Sequence, residues 1–158
     1  CYLALNVICF ASSPLIGAAT KFFRKKSVHA FNLTLGGFAL VSLFFVTTPI
    51  MAMVAMAVVG VSWASTQSMP YALLSGTIPR ERYGLFMGAF NIFICLPQIV
   101  CALCMGPIVV FAGGNKAVAL LLGGLSMILA AIACLKLIYE PSVKVQKEAD
   151  LELESVTV

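Results

Sequence analysis

Charge is what this sequence has least of. Asp, Glu, Lys and Arg make up 10% of its 158 residues, where an ordinary soluble domain carries about 25%. Hydrophobic residues reach 61%, and the mean hydropathy is +1.05. A soluble fold could not hold that much apolar surface without exposing a large patch, so composition excludes a soluble domain and leaves an integral membrane protein. Histidine occurs once, at His29, and no Asp or Glu lies inside a long apolar run. An intramembrane enzyme needs nucleophiles, acids or metal ligands clustered at membrane depth. Their scarcity argues against an enzyme, a metal centre or a cofactor, and no nucleic-acid partner is expected. Short alternating apolar segments are also missing, which removes the β-barrel. There is no initiator Met and no signal peptide, since Cys1 opens directly into an apolar run; the chain is expected to be a piece of a longer protein.

Six cysteines (Cys1, Cys9, Cys95, Cys101, Cys104 and Cys134) sit mostly in apolar stretches and give no basis for disulfides. Cys101-x-x-Cys104 has a redox or metal spacing, but it has no His or carboxylate nearby and reads as packing.

What is present is a set of long apolar runs. A helix that crosses a bilayer needs about 20 mostly apolar residues. Five segments qualify: 1–19, 28–46, 49–74, 85–110 and 117–138. Lipid offers the backbone no hydrogen-bond partners, so these runs are expected to be helices. The fold class is therefore an all-α membrane protein, with a transmembrane bundle over 1–139 and a polar, disordered tail over 140–158. Lys21, Arg24, Lys25, Lys26, Arg80, Arg82, Lys136, Lys144 and Lys147 fall on one side of such a bundle and Lys116 alone on the other. The basic side is cytoplasmic by the usual bias, which puts the C-terminus inside, in a plasma or cell inner membrane. His29, beside the basic loop, reads as interfacial.

Helical positions three and four apart share a face. The fourth run has an unbroken stripe of Gly84, Gly88, Asn91, Cys95, Gln98 and Ala102. The first has Asn6, Cys9, Ser13 and Gly17, and the third has Trp63, Gln67 and Tyr71 with Ser68 and Ser75 beside them. The second and fifth runs are blander and look built for lipid. Uncharged amides and hydroxyls in a membrane either bond between helices, at about 0.6 kcal/mol each, or line a wet cavity. Asn91 aligned with Gln98, and Gln67, Ser68 and Tyr71 around Pro70, point to the cavity, because interrupted helices are where transporters place their sites. Amides, hydroxyls and an aromatic face suit a neutral polyol, whereas an ion would call for fixed charge.

The run Gly60–Ile99, GVSWASTQSMPYALLSGTIPRERYGLFMGAFNIFICLPQI, resembles the tenth and eleventh helices of major facilitator transporters of the glycoside–pentoside–hexuronide group, the sucrose and maltose proton symporters in particular. GGNKAVALLLGG (Gly113–Gly124) is similar to the start of that group's last helix. The turn Gly17-Ala-Ala-Thr-Lys21-Phe-Phe-Arg24-Lys25-Lys26 resembles the superfamily's G-x-x-x-D-x-x-G-R-R at Gly17, Lys25 and Lys26, while Lys21 stands in place of the acid and Arg24 in place of the glycine. The resemblance implies helices eight to twelve of a twelve-helix fold, with eight, ten and eleven on the central pathway and nine and twelve facing outward. It implies alternating-access transport of a neutral sugar such as sucrose, maltose or a related glycoside, coupled to protons. A facilitator without coupling, or a membrane scaffold or sensor derived from a transporter, is the alternative. The implied partners are sugar, protons, membrane lipid and the missing N-terminal half. Candidate cavity residues are Gln67, Tyr71, Asn91, Gln98, Trp63, Ser68 and Asn6. Pro70, Pro97, Gly84 and Gly88 are expected to shape, hinge or pack the helices. No acid lies in the spans, so a coupling carboxylate is expected elsewhere in the protein.

Overall fold

A computed structural model of the chain describes residues 2–75, 78 and 82–137. Its helices are α1 (Tyr2–Ala19), α2 (Lys25–Ser42), α3 (Pro49–Ser75), α4 (Tyr83–Phe111) and α5 (Ala117–Leu137). The expected tail, Cys1, and Arg80 with Glu81 of the third connection lie outside the described residues. The fold is all-α, and α1, α3, α4 and α5 are each long and apolar enough to cross a membrane.

The second expected span differs from the helix observed. α2 begins three residues early, on Lys25 and Lys26, and stops at Ser42. The apolar residues Leu43–Phe45, which the sequence reading placed in the span, fold into tight turns instead: the Phe44 and Phe45 amides donate to Val41 and Ser42 at 3.1 and 2.9 Å. Trading four apolar residues at one end for two lysines at the other lowers the hydropathy of α2, and it does not reach the mark its neighbours do.

Helix ends follow from local chemistry. Gly113 and Gly114 hold φ of +71° and +80°, a left-handed conformation that glycine adopts without a Cβ penalty. Their amides return to Val110 and Val109 at 3.1 and 2.9 Å, closing α4 with a Schellman motif. The Asn115 side chain then accepts from the Ala117 amide at 3.0 Å and caps α5. This is the physical content of the AGGNK stretch.

The helices pack in the order α1–α3–α2–α5, with α4 packed only lightly against the others. Small residues set the close approaches. A Cβ on Gly60 of α3 would come within 2.5 Å of the Leu5 carbonyl of α1. One on Gly37 of α2 would come within 2.8 Å of the Gly124 carbonyl of α5, and one on Gly124 within 2.7 Å of the Gly37 carbonyl. Around these contacts lie three apolar clusters: Ala30, Leu33, Ala131 and Cys134 between α2 and α5; Leu5, Ala39 and Val59 among α1, α2 and α3; and Ile16, Ala64 and Met69 between α1 and α3.

This arrangement corrects the reading of α2 as a bland lipid-facing helix. It buries His29, Ala30, Asn32, Leu33, Gly36, Gly37 and Ala39, and only its other side, with Phe31 and Phe38, stays exposed. The earlier partition counted amides, whereas α2 packs through glycine and alanine. His29, one turn from Lys25 and Lys26, is buried against α3, at 7% exposure, and bonded to Ser65.

Candidate functional site

α3 presents Trp63, Gln67 and Tyr71 one turn apart, and all three are exposed. Between and behind them the helix turns Ser62, Ala64, Ser65 and Met69 inward. Sequence spacing therefore separates two faces of one helix, a packed face and an open polar one. Helical structure continues through Pro70 to Ser75, so α3 is not broken there; Pro70 removes one backbone donor without ending the helix.

The structure brings together one pair of the expected residues. The Tyr71 hydroxyl donates to Asn91 Oδ1 at 2.9 Å, and the Tyr71 ring stands edge-on to Phe90 with centroids 5.3 Å apart and planes at 82°. The pair spans α3 and α4 and leaves the Asn91 amide N–H groups directed away from the tyrosine, since Oδ1 is the acceptor used. Gln98 is exposed and lies two turns further along α4, about 10 Å by helical rise. Asn6 is exposed on α1 and donates to its own helix at the Tyr2 carbonyl, 2.9 Å. Ser68 is half-buried and donates to the Ala64 carbonyl at 2.8 Å, so its proton is engaged locally.

Gly84 and Gly88 have room for a Cβ with no atom within 4 Å, as does Gly17. α4, which carries Pro97, buries none of its residues. Cys101 and Cys104 are exposed free thiols, and no group of three or more metal-ligating side chains occurs among the described residues. Neither Asp nor Glu occurs among them either, so the open polar face is lined by neutral groups. Among the described residues Trp63, Gln67, Tyr71, Asn91 and Gln98 are all exposed. A cavity of about 570 Å³ between α1 and α2 and one of about 640 Å³ between α2 and α3 are lined by other residues.

Sequence reasoning missed a second polar group, buried between α2 and α3. His29 Nδ1 lies 3.0 Å from the Ser65 hydroxyl, and the Ser62 hydroxyl donates to the Asn32 carbonyl at 2.5 Å. Ser62 and Ser65 are wholly buried. The spacing of Ser62 and Ser65, three apart on one face of α3, was a partial signal; the acceptor for Ser62 is a backbone carbonyl, which no side-chain pattern marks.

Two findings place the chain among known proteins. The family model described as Major Facilitator Superfamily matches residues 2–157. A General alpha-glucoside permease of Schizosaccharomyces pombe is 32% identical over 110 residues, covering 62% of this chain and 20% of the permease. The chain thus spans about a fifth of the length of this curated relative. No solved structure matches.

Proposed function

This chain belongs to the Major Facilitator Superfamily, and from that premise we propose that it is part of a sugar carrier working by alternating access. The observation that carries the reading is the Tyr71–Asn91 hydrogen bond. It joins two helices across an exposed face whose polar groups are all uncharged. A site made of amides, hydroxyls and aromatic rings meets sugar hydroxyls with donors and acceptors and sugar C–H faces with rings. The likeness to an alpha-glucoside permease supports a glycoside such as maltose or sucrose as the cargo. In this reading Gln67, Tyr71, Asn91, Gln98 and Trp63 face the pathway, and Ser68 and Asn6 lie at its edge. Pro70, Pro97, Gly84 and Gly88 shape α3 and α4, the other half of the carrier closes the open side, and the C-terminus is cytoplasmic. In this reading the chain is part of a carrier and not of an enzyme.

Whether protons are coupled divides two versions. Symport requires a group that changes charge, and the described residues hold no carboxylate; in a symporter the coupling acid lies elsewhere in the protein, and a facilitator is the alternative. The test is uptake of radiolabelled maltose and sucrose by the complete protein in proteoliposomes, with and without an inward proton gradient. Gradient-driven accumulation identifies a symporter, and equilibration alone a facilitator. No uptake of either sugar sinks the carrier reading in favour of a scaffold. If Asn91→Ala and Gln67→Ala, correctly inserted, both leave flux and apparent affinity unchanged, the site assignment fails while the carrier reading stands.

A further inference from the structure

The asparagines within the helices are bonded in two opposite senses. On α1 the Asn6 amide donates to the Tyr2 carbonyl at 2.9 Å, and on α2 the Asn32 amide donates to the Val28 carbonyl at 3.0 Å. Each gives an N–H to its own helix. Asn91 of α4 is turned the other way: its Oδ1 accepts from the Tyr71 hydroxyl of α3 at 2.9 Å. Among the described residues this is the only hydrogen bond of the Asn91 side chain, so both of its amide hydrogens stay available on an exposed residue. Tyr71 is itself held. Its ring stands edge-on to Phe90, the neighbour of Asn91, on a helix otherwise packed only lightly against the rest.

A carboxamide has an accepting end and a donating end, and a half-turn about its last bond exchanges them. A phenol donates well and accepts weakly, because its ring draws on the oxygen lone pair. It therefore favours the carbonyl end of the amide. We propose that Tyr71 is a positioning residue for Asn91, holding Oδ1 toward α3 so that Asn91 meets the cargo as a hydrogen-bond donor only. This rests on the reading that the polar face lines a sugar pathway. A group fixed in one sense discriminates. It binds an atom that can accept a hydrogen bond, and it opposes a group that can only donate, since donors would then face donors. Gln67 and Gln98 have no hydrogen-bond partner among the described residues and can turn to suit either sense. Asn91 is the amide on this face whose sense is set.

The test is competition against uptake of radiolabelled maltose or sucrose, whichever is carried, by the complete protein in proteoliposomes. The competitors are derivatives of that sugar with one hydroxyl at a time replaced by hydrogen, fluorine or an ammonium group. Hydrogen removes the contact, fluorine keeps an acceptor without a donor, and ammonium keeps donors without an acceptor. The hydroxyl that Asn91 reads is the one whose replacement by hydrogen weakens binding in the unmodified protein but not in Asn91→Ala. There the hydrogen derivative is expected to bind roughly fivefold more weakly than the fluorine one, as for one lost hydrogen bond, and the ammonium derivative to be rejected. In Tyr71→Phe the carboxamide is free to turn, and the preference for fluorine over ammonium falls several-fold. Burying the ammonium charge costs the same in both proteins and cancels in that comparison, and a purely structural role for Tyr71 would leave the ratio unmoved. Phe90→Leu, which loosens the Tyr71 ring, serves if Tyr71→Phe does not insert. A fluorine derivative that binds as weakly as the hydrogen one overturns the proposal, because Asn91 then accepts. So does an unchanged preference when Tyr71 is altered or loosened. Both results leave the site assignment standing. If Asn91→Ala changes the loss at no hydroxyl, Asn91 does not meet the cargo, and the assignment of Asn91 to the pathway fails together with the proposal.

Discussion

Nδ1 of His29 on α2 lies 3.0 Å from the hydroxyl of Ser65 on α3, with both side chains buried. Each satisfies a polar atom that lipid and packed side chains would leave bare. Together with the Ser62–Asn32 bond it fixes how α2 is rotated and registered on α3. A double-mutant cycle with His29→Phe and Ser65→Ala, read by thermal unfolding of the complete protein in detergent, is expected to give a coupling of about 0.6 kcal/mol, with a ceiling of about 1.7 kcal/mol. Strict additivity of the two substitutions would mean that the contact does not contribute.

Gly37 and Gly124 let the backbones of α2 and α5 approach closely, with each glycine's Cβ direction pointing at the other's carbonyl. Gly37→Leu is expected to destabilise the protein by about 1–3 kcal/mol through overpacking. Gly88→Ala makes the informative contrast. Nothing lies within 4 Å of an added Cβ there, and alanine suits a helix better than glycine by about 0.5–1 kcal/mol. Equal damage from both substitutions in thermal unfolding would show that α4 is packed against further parts of the protein at Gly88.

The end of α4 depends on a left-handed residue. Gly114→Ala places a Cβ at φ +80°, a conformation that costs roughly 1–2 kcal/mol for other residues. A lowered unfolding temperature is expected, and Asn115→Ala should add to it by removing the cap on α5. An unchanged melting temperature for Gly114→Ala would contradict the turn geometry.

Tyr71→Phe separates the ring from its hydroxyl. The edge-on contact with Phe90 survives and the bond to Asn91 is lost. In the proposed function the Tyr71 hydroxyl also meets the sugar; losing one such hydrogen bond, about 1 kcal/mol, should raise the apparent KM roughly fivefold with normal membrane insertion. A loss confined to protein yield, with KM unchanged in what inserts, would assign the bond to folding and not to the cargo.

Much of the polar face was legible from spacing. Trp63, Gln67 and Tyr71 recur at four-residue steps, and any helix puts them on one side. That Tyr71 reaches Asn91 was not legible. It requires α3 and α4 to return past one another with a particular rotation, and no periodicity within either helix carries that angle. That His29 meets Ser65 was not legible for a related reason: the contact depends on how α2 is rotated against α3.

The sequence by itself determined the segments and their class. A backbone in lipid must bond to itself, so twenty apolar residues without charge leave helix as the only outcome, and a glycine pair before Asn115 is enough to end one helix and start the next. Which helix lies beside which was decided by tertiary packing. Gly36, Gly37, Gly60 and Gly124 meet neighbours closely, while Gly17, Gly84, Gly88 and Gly106 meet nothing within 4 Å. These glycines are alike as letters. They differ only in whether another helix has come close enough to need the missing side chain, and that depends on the shapes of two surfaces at once.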